Sequence, residues 1–107
     1  MWCYEVKETS DFHLVVVCES KEHAKMCFKW DLDNFINNNH ETIEDFEECY
    51  GEKYNDILQK CEFEVDYELY ATIREMSPIE VEQLKTTPNY LGGAQVVSYK
   101  EYKEAER

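Results

Sequence analysis

Three histidines, five cysteines and 24 carboxylates are the side chains with which this chain of 107 residues could do chemistry. The cysteines stand at 3, 18, 27, 49 and 61. Their odd number, mostly on apolar faces, suits reduced core thiols better than a disulfide framework. His23 and Cys27 are four apart on an expected helix, a spacing that puts two metal ligands on one face. Cys3, Cys18, His13 and His40 are the only other plausible donors, and no Cys-x-x-Cys or His-x-x-x-His pair occurs. His13 falls in a strand, His23 on a helix and His40 in a loop, so no Cys–His dyad stands out as a nucleophile and base. Gly92-Gly93 lacks the spacing of a phosphate-binding loop, and the alternating carboxylates lack the twelve-residue spacing and central glycine of a calcium loop. The expectation is a protein without metal, cofactor or enzymatic activity.

The carboxylates are distributed unevenly. From Glu41 to Tyr70 the chain sets eleven of them against Lys53 and Lys60, a balance of −9 within a total of −13. One row lies on a helical segment: Glu44, Asp45, Glu47, Glu48 and Glu52. The other alternates with apolar residues as Glu62, Glu64, Asp66 and Glu68, between Cys61, Phe63, Val65, Tyr67 and Leu69. Successive strand side chains point to opposite faces, so Cys61–Ile73 reads as one strand with a core face and an acid face. Acids on that face are about 6.8 Å apart, against a charge about every 3.4 Å along one DNA strand. Adding the helical row brings the charge density nearer to that of a nucleic acid. Such a surface repels nucleic acid and anionic membrane and attracts basic protein surfaces. Tyr70 and Tyr54 are candidate aromatic anchors within it.

The elements that carry these residues follow from periodicity and caps. Trp2–Lys7 alternates like an edge or half-exposed strand, and Phe12–Cys18 is an apolar run suited to a central strand. Ser20 caps a helix to about Asn37, with Ala24, Cys27, Phe28, Leu32, Phe35 and Ile36 as its buried stripe. Thr42 caps an acidic helix that Gly51 splits or kinks. Ser77-Pro78-Ile79-Glu80 opens a third helix with a capping box. Thr87–Gly93 is a loop and Ala94–Tyr99 a last strand. Lys100–Arg107 is a charged tail that frays or extends as a helix.

The order β-β-α-α-β-α-β predicts a single compact α+β domain over 1–107. It has a mainly antiparallel four-stranded sheet with helices packed on one face, and the connection through the third helix leaves room for one parallel pair. Aromatics at 14% and an ordinary apolar content of 43% separate it from a disordered acidic tail. The longest apolar run, Leu14–Cys18, is too short to span a bilayer, and the expected location is the cytoplasm.

In size, acidity and compact α+β character the chain resembles small phage inhibitors, such as anti-CRISPR and DNA-mimic anti-restriction proteins, and bacterial toxin-immunity proteins. The resemblance implies an acidic inhibitor, a monomer or weak homodimer, that occupies a basic surface on a nuclease or other nucleic-acid-handling protein. It assigns no residue. A second reading is a small-molecule- or metal-binding domain, or a small enzyme, built on the Asn89–Gly93 loop with a nearby Cys or His.

Overall fold

The computed structural model describes residues 1–8, 12–65 and 69–105. Its strands are β1 (Trp2–Glu8), β2 (Phe12–Cys18), β3 (Glu62–Val65), β4 (Leu69–Glu75) and β5 (Gln95–Ser98). Its helices are α1 (Lys21–Asn39), α2 (Ile43–Tyr50), α3 (Tyr54–Lys60), α4 (Pro78–Thr86) and α5 (Tyr99–Ala105), with a 3-10 turn at Asn89–Leu91. The strands form one sheet in the order β3-β4-β1-β2-β5. All neighbours are antiparallel except β2 and β5. The class is α+β, with five strands instead of the expected four.

The expected single strand over Cys61–Ile73 is two strands. β3 and β4 pair antiparallel with Val65 opposite Leu69 and Phe63 opposite Ala71. Partners in such a ladder share a face. Phe63 and Ala71 are therefore both buried on one side of the sheet, with Val65, Leu69 and Ile73 packed beside them. The step from 65 to 69 is even, so the alternation passes through the reversal unbroken.

β1 is the central strand, not an edge, and its two faces differ. Tyr4 and Val6 join Val16, Cys18, Phe63 and Ala71 in the larger core, which is closed by α1, α2, α3 and α5 through Ala24, Cys27, Phe28, Leu32, Ile36, Phe46, Ile57 and Tyr102. Cys3 faces the other way and packs with Val15, Met76 and Ala94 beneath Val81 and Leu84 of α4. Helices therefore lie on both faces, which corrects the one-sided arrangement expected. The residues of β2 show why. Val15 and Val16 point to opposite sides and both are fully buried, so each side needs a cover.

The caps follow the sequence. Ser20, Thr42 and Ser77 accept the backbone N–H of His23, Asp45 and Glu80 at 3.2, 3.0 and 3.1 Å. Gly51 ends α2 at φ 70°, a left-handed conformation that glycine adopts without penalty, and α3 begins after it. The segment expected to fray or extend as a helix forms α5. Tyr102 is buried in the larger core and its hydroxyl donates to Asp31, while residues 106 and 107 lie outside the described structure. Among the described residues no helix is long and apolar enough to cross a membrane.

Candidate partner-binding surface

The helical acid row sits on α2 and the turn after it. Phe46 points inward against Phe35, Tyr50 and Phe63, with ring centroids 5.0 to 6.5 Å apart. That contact fixes which side of α2 faces water. Glu44, Asp45 and Glu48 are exposed, as are Glu41, Glu52 and Asp56 nearby.

Two members of the row have structural tasks. Glu47 is half-buried, and its carboxylate accepts the backbone N–H of Tyr54 at 2.8 Å, capping α3 where Lys53 offers no side-chain cap. Asp45 lies 2.9 Å from a ring nitrogen of His40. Glu52 pairs with Lys60 at 2.6 Å on the surface. Glu44 and Glu48 have no ion pair among the described residues.

Glu44, Glu47, Glu48 and Glu52 line a shallow depression of about 570 Å³ together with Gly51 and Lys53. The C-terminal end of α2 opens into it, and the partial negative charge of a helix C-terminus adds to that of the glutamates. The depression suits a lysine or arginine side chain of a partner.

The strand row goes elsewhere. Glu62 and Glu64 flank the buried Phe63 and so point to the sheet face opposite the one on which α2 and α3 pack. Asp66 and Glu68 lie outside the described residues. Tyr70 is half-buried on the same face as Glu64, its cross-strand neighbour, with Lys7 on its other side. Tyr54 is not free to anchor a partner, since its hydroxyl donates to Asp33 of α1 and ties α3 to that helix. Glu62 and Glu64 thus lie on the opposite side of the sheet from the helical acid row.

That second face carries a polar network which the alternation of β1 did not disclose. Glu5, 3% exposed, lies 2.7 Å from His13 Nε2 and accepts from Arg74 Nε at 3.1 Å. Arg74 also donates to Glu80 of α4 at 2.9 Å. Burial pushes the Glu5 carboxyl up, but the hydrogen bonds from Arg74 and His13 outweigh it and hold the group below its ordinary value. A glutamate in an alternating strand looks solvated, and its partners sit diagonally on the neighbouring strands, Arg74 opposite Cys3 and His13 opposite Lys7, where the sequence alone cannot align them.

A half-buried acid borders the larger core. Asp31 of α1 receives the hydroxyls of Tyr4, at 2.5 Å, and Tyr102. Burial raises its carboxyl above the ordinary value, and the two tyrosine hydrogen bonds pull it part of the way back. It borders a cleft of about 330 Å³ walled by Val6, Leu14, Phe28 and Phe63, with Asn34 and Asn38 also in its lining.

Residues able to hold a metal assemble differently from the expected pair. Cys27 is fully buried in the core, while His23 stacks on Tyr99 at 4.4 Å. Among the described residues the group that comes together is His40, Asp45 and Cys49, whose ligand atoms lie within 4.8 Å of one another. Asp45 and Cys49 are four apart on α2, the spacing that places two ligands on one helix face. In the Asn89–Gly93 loop, the Gly93 N–H donates to Pro88 O at 3.0 Å, and a Cβ there would meet Thr87 O at 1.7 Å. That close backbone approach accounts for the glycine without a ligand.

No family model, curated protein or solved structure matches this chain.

Proposed function

We propose that this chain is a non-enzymatic acidic binding protein that engages a basic surface of another protein through α2 and the turn into α3. In this reading it inhibits its partner by occupying a site otherwise used for an anionic ligand such as nucleic acid, and it acts in the cytoplasm. The observation that supports it best is the acidic depression at the end of α2, where Glu44 and Glu48 stand exposed without an ion pair among the described residues. Charges of this kind steer association and fix orientation more than they add affinity. Ile43, 47% exposed at the start of α2, supplies apolar contact beside them. Because Glu62 and Glu64 face the opposite side of the sheet, the docking surface proposed is the helical row alone, not a continuous imitation of a nucleic-acid strand.

The test compares two charge reversals. Immobilised wild-type chain, the Glu44→Lys/Glu48→Lys variant and the Glu62→Lys/Glu64→Lys variant are used to capture protein from a native lysate at physiological and high salt. The expected result is a basic protein retained by the wild type, released by salt, lost from the α2 variant and kept by the strand variant. Capture that survives reversal at Glu44 and Glu48 would overturn the assignment.

A further inference from the structure

His40, Asp45 and Cys49 meet where the end of α1 turns into α2. His40 is the C-cap of α1 and precedes Thr42, the N-cap of α2. Its ring is held against Phe35, Phe46 and Tyr50, with centroids 5.6 to 6.2 Å away. The side chain is only 9% exposed. Nδ1 lies 2.9 Å from Asp45 Oδ2, and the buried Nε2 has no hydrogen-bond partner among the described residues.

Each neutral tautomer leaves a fault in this arrangement. With the proton on Nδ1, that nitrogen donates to Asp45, but the Nε2 lone pair is buried without a donor. With the proton on Nε2, the N–H faces aromatic rings, which are weak acceptors, but the Nδ1 lone pair confronts a carboxylate. A cation between Nδ1, Asp45 and Cys49 removes the second fault entirely. We propose that these three side chains form a zinc-type metal site with a fourth coordination position open to solvent.

The donor set selects the ion. Imidazole, thiolate and a single carboxylate suit a borderline-soft ion such as Zn²⁺, whereas calcium and magnesium take oxygen ligands. Zinc bonds of about 2.0–2.1 Å to nitrogen and about 2.3 Å to sulfur put tetrahedral ligands roughly 3.3–3.6 Å apart. The present separations, from 2.9 Å to within 4.8 Å, bracket that range, so side-chain rotation suffices to close the site. Two of the three ligands, His40 and Asp45, also border a depression of about 480 Å³ lined by Asn37, Asn38, Asn39 and Glu41, and Cys49 lies outside that lining. The carbonyl end of α1 and the carboxylate of Glu41 favour a cation there, against the N-terminal end of α2, whose charge Glu44 and Asp45 offset. The site shares Asp45 and α2 with the proposed docking row, but all three ligands belong to this chain, so its test needs no partner and can fail independently of that reading.

The test uses the full chain stripped with a chelator and titrated with Zn²⁺, and separately with Co²⁺ as a spectroscopic probe. Cys49 is the one exposed cysteine of the five, so its alkylation reports the site directly. The expected results are one ion per chain, a thiolate-to-cobalt band, and protection of Cys49 from alkylation by equimolar Zn²⁺. Affinity should rise with pH, because metal binding releases protons. Cys49→Ser should abolish the band and weaken Zn²⁺ binding at least tenfold, and Asp45→Asn should weaken it severalfold. Both positions are exposed, so both variants are expected to keep the wild-type circular dichroism. Absence of equimolar binding would overturn the proposal in favour of a simple His40–Asp45 ion pair. So would equal binding by wild type and Cys49→Ser, which would put the ion among other carboxylates.

Discussion

The two faces of the sheet treat their acids in opposite ways. On the face partly covered by α4, the buried Glu5 is matched by Arg74 and His13, and Glu80 by the same Arg74. On the outside of the helices that cover the other face, Glu44 and Glu48 stand without a partner among the described residues, with Glu41 and Asp56 exposed nearby. A buried carboxylate must be paired, since leaving it alone in a low-dielectric site costs several kcal/mol. An exposed one has no such obligation, and surface pairs contribute little. The difference is one of pairing: Glu5, through Arg74, ties the sheet to α4, while Glu44 and Glu48 on α2 are left without an ion pair among the described residues.

The largest effect is expected where the helical layer is anchored. Phe46 is fully buried between α1, α2 and β3. Phe46→Ala should destabilise the fold by about 3–5 kcal/mol, through lost transfer energy and the cavity left behind. Denaturant unfolding measures the loss. Hydrogen exchange should show the amides of α2 and α3 opening before those of α4, since α4 packs on a separate cluster of Cys3, Val15, Met76 and Ala94. Equal loss of protection on both faces would mean that the two layers unfold as one and that the comparison between them is not energetic.

The next effect probes the paired side. Glu5→Gln keeps the shape of the side chain and removes its charge. At neutral pH it should cost about 1.5–3 kcal/mol, the range for hydrogen bonds to an ionised group. The dependence on pH follows from the lowered carboxyl of Glu5. Above the ordinary value of 4.5 the group is ionised in folded and unfolded chains alike, and its contribution is complete. As pH falls below that value the unfolded chain takes up the proton first, and the contribution is gone once the folded group is protonated too. The stability gap between wild type and Glu5→Gln should therefore narrow as pH falls below 4.5. A gap of constant size down to about pH 3 would mean that shape, not charge, carries the effect.

What the sequence discloses about these two faces depends on the range of the interaction involved. The caps at Ser20, Thr42 and Ser77 are legible because donor and acceptor lie three residues apart. The break at Gly51 is legible because a left-handed C-cap calls for glycine. The β3–β4 reversal is hidden because an even step preserves alternation, so one long strand and a hairpin write the same pattern. The cover on the second face was signalled by the adjacent apolar pair Val15-Val16, which a strand wet on one side would not carry. Tyr102 gave no such sign. It is one apolar position among charged neighbours, and its burial depends on meeting Asp31 and Cys27 on α1. The acid rows were legible as charge, but whether they adjoin is decided by which face each side chain takes, and Glu62 and Glu64 face away from α2.

The smallest effect sharpens the comparison most. Lys60 reaches Glu52 at 2.6 Å, with both side chains about half exposed (49% and 45%). Lys60→Gln should change stability by no more than about 1 kcal/mol, because an exposed ion pair is screened and loses side-chain entropy in forming. It nevertheless removes one of the few cations beside the α2 depression and frees Glu52. If the helical row steers a basic partner, the association rate should rise by about two- to fivefold at low ionic strength, and the gain should shrink as salt is added. Lys7→Gln makes the same change of charge on the other side of the sheet, beside Tyr70, and serves as the control. Binding that responds equally to both would mean the partner senses only total charge. Acceleration by Lys60→Gln alone would locate the encounter at α2, where acids are left unpaired.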